Sequence, residues 1–327
     1  MNLIIPMGGR GTRLRPHTLT TPKPLIEIAG KSIIQRIVDL IKKSQSRITN
    51  VGFIIEKPDL LVEEMLKKIG SENNIGTSIF FQTRPEGTAH AIYCAKKMLK
   101  GPIMVVFADT LFEAELKFPN DADGCIFVKE VDDPSAYGVV KLNTNGYITD
   151  FIEKPEEPVS NLAIVGMYYF KDGELLKKEI KKILVNNTKV RGEYQITTAL
   201  QQLKDQNKLF LPVTIKNWYD CGSPTNILDS HAKILDKEFP KNEKFKNTQI
   251  IPPCFIAEGV KISNSTIGPH VSVGKGTIIK SSILKNTIIQ NKCLIKGAVF
   301  SHSIIGNKVE YNKDFNQVSI GDYSTFK

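Results

Sequence analysis

The chain lacks the cysteine pairing and the long apolar runs that would indicate a secreted or membrane-spanning protein. Its cysteines are odd in number and never form a Cys-x-x-Cys pair: Cys94, Cys125, Cys221, Cys254 and Cys293. This pattern argues against a disulfide framework or a zinc site and is typical of the reducing cytoplasm. No apolar run approaches the ~18 residues of a membrane helix, and no signal-peptide pattern precedes the first strand. We therefore expect a cytoplasmic protein with no membrane partner.

Arginine is missing from the C-terminal part of the chain. Residues 241–327 contain twelve lysines, five acidic residues and no arginine, so they hold +7 of the net charge of +10. Lysine without arginine or interleaved aromatic residues makes a poor nucleic-acid surface. The five histidines are scattered and form no metal-binding cluster. We therefore predict solvated lysine-rich faces and no nucleic-acid partner.

The most informative stretch lies near the N-terminus. A short apolar strand leads into a glycine-rich turn with three arginines, residues 8–15 (GGRGTRLR). Glycine lets main-chain N–H groups approach phosphate oxygens, and arginine adds a forked permanent charge. The turn is not a dinucleotide fingerprint, because Leu14 stands where the third glycine belongs, and no Lys-Ser/Thr pair closes it as a Walker A loop. The turn therefore predicts a loop that binds a polyanion.

Apolar strands alternate with helical patterns from this turn to residue 109, among them a buried strand at 51–55, a helix that begins at Pro58 and a helix whose apolar residues run from Ala91 to Leu99. Such alternation predicts a mostly parallel sheet covered by helices on both faces. Ligands of these sheets bind at the carboxyl ends of the strands. The glycine-rich turn, the loop at 82–87 and Asp109 all follow strands, so we expect them to share one crevice. Further along, Asn145-Gly146 predicts a β-hairpin, and Thr88 is expected to cap the helix that follows it.

The order of motifs along the chain resembles the signature of the sugar-1-phosphate nucleotidylyltransferases. The matching segments are GGRGTRLRP (8–16), PKPL (22–25), PEGTA (85–89), EKP (153–155), NLAIVGMY (161–168), RGEYQIT (191–197) and WYDCG (218–222). Two positions depart from the family pattern: Ala108 replaces a usual glycine, and Thr198 stands where an aspartate is frequent. The resemblance spans essentially the whole chain. It implies transfer of a nucleotidyl group from a nucleoside triphosphate to a sugar 1-phosphate, which gives an NDP-sugar and pyrophosphate.

The resemblance also implies roles for individual residues. The catalytic set would be Arg13, Lys23, Asp109, Lys154 and Asp220, with Asp109 and Asp220 holding one Mg²⁺. The substrate-binding set would be Gly8, Gly9, Gly11, Thr12, Gln82, Pro85, Gly87, Thr88, Gly138, Glu153, Gly166, Tyr168, Arg191 and Glu193. Hard oxygen ligands with open water positions are what Mg²⁺ on a phosphate requires. Trp218, the only tryptophan, is expected to pack and not to stack on a ligand.

The nucleotide and the sugar are predicted less directly. The Gln82 amide can both donate and accept, so it can read the imide edge of thymine or uracil, which favours dTTP before UTP. Glucose 1-phosphate is the default sugar by family frequency. The alternatives are a UTP-glucose-1-phosphate uridylyltransferase, a mannose-1-phosphate guanylyltransferase and a non-catalytic scaffold of the same fold. The chain lacks the loop expected of a guanylyltransferase, and it retains the whole catalytic set that a scaffold would have lost in part.

The C-terminal third has a hydrophobic periodicity of its own. Isoleucine and valine recur every five to six residues from Ile256 to Ile279, among glycines, which is typical of the hexapeptide repeats of a left-handed parallel β-helix. The expected fold class is therefore α/β, with a Rossmann-like, mixed, mostly parallel sheet in a nucleotidyltransferase domain (1–237). A linker (238–247), a short left-handed β-helix (248–311) and a C-terminal tail (312–327) follow.

The β-helix has two expected uses. We favour assembly of a homo-oligomer, because a ragged solenoid end usually caps or pairs. In some relatives of the family this domain is an acetyl-CoA-dependent acetyltransferase, so a bifunctional enzyme is the alternative. His270 and His302 would be the bases of that second activity.

Overall fold

The structure, a computed structural model, describes the whole chain except residues 10, 114–115, 117, 120, 158, 239–243, 315–322 and 325–327. It divides into two compact units, which we name the first unit (Met1–Gly9 with Gln35–Trp218) and the second unit (Arg10–Ile34 with Tyr219–Lys327). The domain boundaries expected from the sequence stay a prediction, and the compact units are cut differently from them. Among the described helices, none has the length and apolar character that crossing a bilayer demands.

The described secondary structure alternates as expected before residue 110 and becomes strand-rich beyond residue 248. The helices are α1 (Ile33–Ser44), α2 (Leu60–Glu72), α3 (Thr88–Cys94), α4 (Gly173–Val185), α5 (Ile196–Asp205) and α6 (Pro224–Glu238). The first strands are β1 (Asn2–Pro6), β2 (Glu27–Ile28), β3 (Lys31–Ser32), β4 (Asn50–Ile55), β5 (Gly76–Phe81), β6 (Ile103–Val106), β7 (Thr110–Glu113), β8 (Gly124–Glu130), β9 (Gly138–Leu142), β10 (Ile148–Glu153), β11 (Leu162–Phe170), β12 (Phe210–Thr214) and β13 (Asn217–Asp220). The later strands are β14 (Gln249–Ile250), β15 (Cys254–Ile256), β16 (Lys261–Ser263), β17 (Thr266–Ile267), β18 (Val271–Val273), β19 (Ile278–Lys280), β20 (Ile283–Ile289), β21 (Leu294–Lys296), β22 (Val299–Ile305) and β23 (Glu310–Asn312).

The first unit is built on one mixed sheet. Its main path runs β10-β9-β11-β6-β1-β4-β5, and β8 and β12 join through β11. Strand β1 pairs in parallel with β4 and β6, and β4 pairs in parallel with β5. Strand β11 is antiparallel to β6, β8 and β9. These pairings, with the helices between the strands, confirm the α/β class. They also confirm the hairpin at Asn145-Gly146, where β9 and β10 pair antiparallel.

The apolar face of each helix explains why it lies on the sheet. In α4, Leu176, Ile180 and Ile183 recur at helical spacing and are fully buried, and they join the same core as the strand residues Ile4 and Val105. Burying such a side chain contributes about 1.5–3 kcal/mol. The helical spacing of these apolar residues therefore explains how α4 packs on the sheet.

Two helix boundaries and one helix cap differ from the sequence expectation. Helix α2 begins at Leu60 and not at Pro58, because the Asp59 side chain accepts from two N–H groups of the first turn and caps it. Helix α3 ends at Cys94, short of the expected apolar run to Leu99. The prediction that Thr88 caps α3 is wrong. Its hydroxyl oxygen accepts from the Ile196 N–H, 2.9 Å away at the start of α5.

In the second unit, short parallel strands stack with a regular step. Val271 pairs with Cys254, seventeen positions earlier, and with Thr287, sixteen positions later. Residue Ile279 pairs in the same way with Ile262 and Ile295. The paired isoleucines and valines are buried and form one apolar core. The rhythm of isoleucine and valine in the sequence therefore marks the inward positions of this stack.

Candidate active site

Two of the predicted segments leave the sheet of the first unit side by side. The Ala108 N–H donates to the Pro6 carbonyl at 3.3 Å, so the end of β6 lies beside the end of β1. Gly8 comes directly after β1, and Asp109, whose side chain is exposed, comes after β6. The carboxyl ends of parallel strands meet at one edge of the sheet, where ligands bind in folds of this kind.

The predicted base-reading residue, Gln82, is held tightly at the end of β5. Its side chain is 7 % exposed. Its Nε2 donates to the Gly87 carbonyl at 3.1 Å and lies 3.2 Å from His90 Nδ1. A Cβ at Gly8 would lie only 3.0 Å from Gln82 Oε1. The missing side chain of Gly8 therefore leaves room for the amide oxygen beside the glycine-rich turn.

The loop at 85–88 is bound to the segment that carries Glu193. Gly87 has φ +111, and a Cβ there would lie 2.5 Å from the Tyr194 carbonyl oxygen. The Ala89 N–H donates to that same oxygen, and the Tyr194 N–H donates to the Glu86 carbonyl, each at 2.9 Å. The Thr88 hydroxyl donates to Gln195 Oε1 at 3.0 Å. Only glycine permits this approach of two backbones, and Pro85 stands exposed at its edge.

Gly138 and Glu153 face each other across the hairpin of β9 and β10. Glu153 Oε2 accepts a hydrogen bond from the Thr197 hydroxyl at 3.1 Å. A Cβ at Gly138 would lie 3.2 Å from that carboxylate oxygen and 3.3 Å from Thr197 Cγ2. Glu153 is thus fixed by a threonine from α5, and the missing side chain of Gly138 lets both side chains lie close to its backbone.

The side chain of Arg191 is hydrogen-bonded to the backbone of a second cationic residue, Lys154. Arg191 Nη2 donates to the Lys154 carbonyl at 2.9 Å, and the Lys154 N–H donates to the Tyr137 carbonyl at 3.0 Å. Both residues adopt positive φ, +44 for Lys154 and +53 for Arg191. A non-glycine residue in this region is strained, and strain of this kind concentrates at functional sites. The exposed Arg191–Glu156 pair at 3.7 Å contributes little stability.

Strand β11 carries Gly166 and Tyr168. The register with β8 shifts between Ile164 and Tyr168, and Gly166 supplies the positive φ of +78 at this irregularity. Tyr168 is buried, its ring edge-on to Phe107 at 6.2 Å. Burial raises the pKa of Tyr168, and the negative charges of Glu153 and Asp109 raise it further. Its hydroxyl therefore stays protonated, and both carboxylates lie close enough to act on the same ring.

In the second unit, Gly11 of the glycine-rich turn packs on the segment with Lys23. Gly11 has φ +54, and a Cβ there would lie 2.9 Å from Thr18 Cγ2 and 3.4 Å from Lys23 Cβ. The Thr18 hydroxyl donates to the Gly11 carbonyl at 2.8 Å. Thr12 and Arg13 then form a short 3₁₀ helix, Thr12–Leu14, whose apolar residue Leu14 is buried. The buried Leu14 therefore anchors the short helix that carries the exposed side chains of Thr12 and Arg13.

Asp220 lies in a cluster with Arg13 in the same unit. Asp220 Oδ1 accepts from the Gly222 N–H at 2.7 Å, and Oδ2 accepts from Asn226 Nδ2 at 2.5 Å. A Cβ at Gly222 would lie 2.9 Å from Asp220 Oδ1 and 3.2 Å from Arg13 Nη2. Hydrogen bonds to a carboxylate are stronger than neutral ones. Gly222 therefore separates an oriented carboxylate from a guanidinium without filling the space between them.

The predicted residues fall into two sets, one in each unit. The first unit holds Gly8, Gly9, Gln82, Pro85, Gly87, Thr88, Asp109, Gly138, Glu153, Lys154, Gly166, Tyr168, Arg191 and Glu193, and the second holds Gly11, Thr12, Arg13, Lys23 and Asp220. Because Asp109 and Asp220 belong to different units, their meeting on one ion stays a prediction. Gly9 has φ +119 and open space where a Cβ would stand.

Three residues at these sites were not assigned a role from the sequence. Gly222 and Thr197 lie inside recognised motifs, and their importance appears only from the atoms beside them. Asn226 lies six positions after Asp220, and no local pattern distinguishes it from any polar residue of a helix's first turn. Trp218 packs on Tyr137, with ring centroids 4.9 Å apart, as expected.

The donor set fits Mg²⁺. Carboxylate oxygens are its preferred protein ligands, and Mg²⁺ is usually held by one or two of them while water and phosphate complete its shell. Each Asp220 oxygen accepts one hydrogen bond, and a carboxylate oxygen has a second lone pair. Within the described residues no group of three or more His, Cys, Asp or Glu residues could hold a metal, so a site here would depend on substrate oxygens.

Comparison with known proteins finds similarity to nucleotidyl transferases. A family model described as nucleotidyl transferase matches residues 2–237. A protein named bifunctional protein GlmU from Methanococcus maripaludis is 32 % identical over 91 % of this chain and 73 % of its own length. A glucose-1-phosphate thymidylyltransferase from Streptomyces antibioticus is 28 % identical over 99 % of this chain and 98 % of its own.

A solved structure supports the fold. The crystal structure of a UDP-glucose pyrophosphorylase complexed with UDP-glucose has a TM-score of 0.60 and 23 % identity, and it covers 72 % of this chain and 98 % of its own. The family model spans the first unit's sheet and the segments that carry both sets of candidate residues. The chain belongs to the nucleotidyl transferase family, as the resemblance of its motifs implied.

Proposed function

We propose that the protein transfers a nucleotidyl group from dTTP to glucose 1-phosphate with Mg²⁺, giving dTDP-glucose and pyrophosphate. The observation that carries this proposal is the cluster of Arg13, Gly222 and Asp220. A guanidinium nitrogen and an oriented carboxylate oxygen both lie close to Gly222, and the guanidinium belongs to the glycine-rich turn. This arrangement suits a crowded polyphosphate, because the cation can neutralise phosphate oxygens and the carboxylate can hold a divalent ion.

The reaction needs positioning and charge neutralisation more than proton transfer. A phosphate oxygen of the sugar 1-phosphate attacks the α-phosphorus and forms the new P–O bond, while the bond to the β-phosphate oxygen breaks and pyrophosphate leaves. The attacking oxygen is already anionic, so no strong general base is required. Arg13 would stabilise the departing pyrophosphate, and Lys23, Lys154 and Arg191 would screen the repulsion between the reactants. A Mg²⁺ ion on Asp109 and Asp220 would supply further positive charge at the phosphates.

The geometry of Gln82 narrows how it would read the base. Its Nε2 already faces the Gly87 carbonyl and His90, so the amide oxygen is the atom left for a ligand. That oxygen would accept from the N3–H of thymine or uracil. A relative named glucose-1-phosphate thymidylyltransferase aligns over 99 % of the chain, which supports thymine before uracil and glucose 1-phosphate as the sugar.

The sugar would lie over the hairpin and β11. Glu153, fixed by Thr197, would offer a carboxylate oxygen to sugar hydroxyls, and Gly138 and Gly166 would present backbone without a side chain to the ring. The paired cations Lys154 and Arg191 would hold the sugar phosphate. These roles agree with the exposure of both cations and with the burial of Tyr168 behind them.

The parallel stack of the second unit supports a further part of the proposal. Steps of sixteen and seventeen residues between paired strands are one to two residues shorter than three full hexapeptides, and they support a left-handed β-helix with shortened turns between its strands. We assign this stack to assembly of a homo-oligomer. An acetyltransferase role is the second candidate, since a relative is named bifunctional. His270 is bonded to Asp236 at 2.8 Å and to Asn286 at 3.2 Å, which orients a possible base.

One experiment tests both the reaction and the base. The purified protein is incubated with glucose 1-phosphate, Mg²⁺ and, in turn, dTTP, UTP, GTP, ATP or CTP, and pyrophosphate release is measured. We expect the highest kcat/KM with dTTP and the next with UTP. Preference for a purine nucleotide would overturn the role of Gln82, and no release with any pair would overturn the reaction. Acetylation of an amino-sugar phosphate by acetyl-CoA would establish the second activity.

A further inference from the structure

The second unit contains a cavity that the proposed reaction does not use. Its volume is about 240 Å³, and all the residues that line it belong to this unit. Its walls come from residues 14–26, from α6 and from the strand stack, and they include Leu14, His17, Ile26, Ile227, Gln290 and Gly306. An apolar cavity of about 150 Å³ is enough to bind benzene, so this one has room for a molecule of two fused rings.

The residues that line the cavity disfavour a charged ligand. The lining contains no Lys, Arg, Asp or Glu, and its deepest residues, Leu14, Ile26 and Ile227, are buried and aliphatic. Burial lowers the pKa of His17, so its ring is neutral at pH 7. A charged ligand would lose its hydration without finding an opposite charge. An uncharged, largely apolar molecule would lose little and could use a few polar groups.

Polar groups are present to orient such a molecule. Gln290 is 7 % exposed, and its Nε2 is fixed on the Glu27 carbonyl at 2.9 Å. His17 Nδ1 lies 3.7 Å from the place where a Cβ of Gly306 would stand. The amide is thus held in the cavity wall by the surrounding structure, and the imidazole ring lies beside Gly306 in the same wall. Mostly apolar pockets with a few placed polar groups are the usual form of small-molecule sites.

The cavity wall is continuous with the candidate active-site cluster. Leu14 follows Arg13 in the same 3₁₀ helix. Ile227 follows Asn226, whose amide holds Asp220 Oδ2. A ligand that packs on Leu14 and Ile227 would therefore restrict the two segments that position Arg13 and Asp220. Restricting a binding group in its productive arrangement improves affinity by lowering the ordering cost.

We infer that this cavity is a regulatory site for an uncharged, largely apolar molecule of about the size of two fused rings, and that its occupation strengthens nucleotide binding. The regulatory part rests on the proposed function, while the binding part does not. The cavity is separate from the substrate positions, since no residue of the predicted substrate-binding set lines it. The ligand acts on Arg13 and Asp220 through their neighbours.

Indole serves as the probe, with indole-3-carboxylate as its anionic counterpart. Binding to the full chain is measured by isothermal titration calorimetry without substrates. We expect saturable 1:1 binding of indole and at least tenfold weaker binding of the carboxylate. In an NMR spectrum, the ring signals of His17, assigned with a His17→Gln variant, should shift on addition of indole. Absence of saturable binding, or binding that leaves the His17 signals unmoved, would overturn the site.

Two substitutions at one position provide the matched pair. Gly306→Leu would fill the cavity, whereas Gly306→Ala adds one methyl group with an ordinary contact of 3.7 Å to His17. We expect indole affinity to fall at least tenfold in the first variant and to stay within threefold in the second. Equal affinity in wild type and Gly306→Leu would place the indole elsewhere and overturn the inference.

The regulatory part has its own readout. Indole should lower the KM for the nucleoside triphosphate at least twofold in the wild type and leave it unchanged in Gly306→Leu. An unchanged or raised KM at saturating indole would refute the coupling. A protein that binds indole in this way and transfers no nucleotidyl group would refute the proposed function and leave the cavity site standing, so the two failures are distinguishable.

Discussion

At the scale of single residues, glycines shape the candidate site because of the atoms that stand where a side chain would be. A Cβ at Gly8 would meet Gln82 Oε1 at 3.0 Å, and one at Gly138 would meet Glu153 Oε2 at 3.2 Å. At Gly222 it would meet Asp220 Oδ1 at 2.9 Å. Each contact is with a polar atom of a predicted ligand-binding residue. These glycines keep functional oxygens close to the backbone.

Gly222→Ala tests this account of the Asp220 cluster. The added methyl group must displace the Asp220 carboxylate or the Arg13 guanidinium. A misplacement of about 1 Å can cost on the order of 10²-fold in rate, so we expect kcat to fall about 10- to 100-fold. Thermal stability should change little. Thr225→Ala, at an exposed neighbour in the first turn of α6, is the control and should keep kcat within twofold. Wild-type kcat in Gly222→Ala would refute the cluster.

Thr197→Val tests the positioning of Glu153. Valine keeps the shape of threonine but removes the hydrogen bond to Glu153 Oε2, which is worth about 1 kcal/mol or somewhat more. We expect KM for the sugar 1-phosphate to rise about 3- to 10-fold, while KM for the nucleotide stays constant. Thr149→Val removes a similar bond, from Thr149 to Asp150 at 2.8 Å on the same hairpin, and should change neither. Equal effects in both variants would assign Thr197 a merely structural role.

The motifs of the sequence indicate candidate site residues, but they do not indicate which residues these candidates bond to. Motif residues such as Gly87 and Glu153 could be recognised in the chain because their spacing is local. Thr88 shows the limit. Its local position suggested a cap for α3, but its hydroxyl bonds to residues more than one hundred positions away at the start of α5. Such partners are set by tertiary packing, and one sequence carries no direct signal of them.

At the scale of elements, strand positions followed from apolar runs and helix positions from periodicity. Strand β4 lies where a buried strand was expected, and the hairpin of β9 and β10 follows its Asn-Gly turn. Helix ends were less certain because side-chain caps decide them, as Asp59 does for α2. The irregular register of β11 around Gly166 could not be derived, since it depends on which neighbours the strand pairs with.

The strand stack yields a prediction about stability. Ile279 is fully buried and pairs with Ile262 and Ile295, so Ile279→Ala should remove about 2–5 kcal/mol from the free energy of unfolding. Ile283 lies four positions later and is 54 % exposed, so Ile283→Ala should change it by no more than about 0.5 kcal/mol. Urea denaturation followed by circular dichroism measures both. Similar losses in the two variants would contradict the assignment of inward positions.

At the scale of the whole molecule, the candidate residues are shared between two compact units, and the segment 10–34 belongs with the C-terminal part of the chain. No sequence pattern indicates this division, because composition changes only near residue 240. The family match to residues 2–237 covers both sets of residues. In the proposed reaction, both sets depend on bound substrates and a metal ion.

Metal removal tests that dependence. The two carboxylates offer Mg²⁺ too few ligands for tight binding on their own, since substrate oxygens must complete the shell. We therefore expect EDTA to abolish pyrophosphate release and added Mg²⁺ to restore it fully, with no change in circular dichroism. Zn²⁺ should restore less than Mg²⁺. Full activity in EDTA after dialysis would contradict a metal-dependent reaction.

The central claim is that Asp109 and Asp220 serve one metal ion during nucleotidyl transfer. The most direct measurement is a double-mutant cycle on kcat for dTTP and glucose 1-phosphate, with Asp109→Asn, Asp220→Asn and both together. We predict that each single variant loses on the order of 10²–10⁴ in kcat and that the double variant loses little more than the worse single one, because groups that act as a unit are not additive. Near-wild-type turnover in either single variant, or losses that multiply in the double variant, would contradict the account.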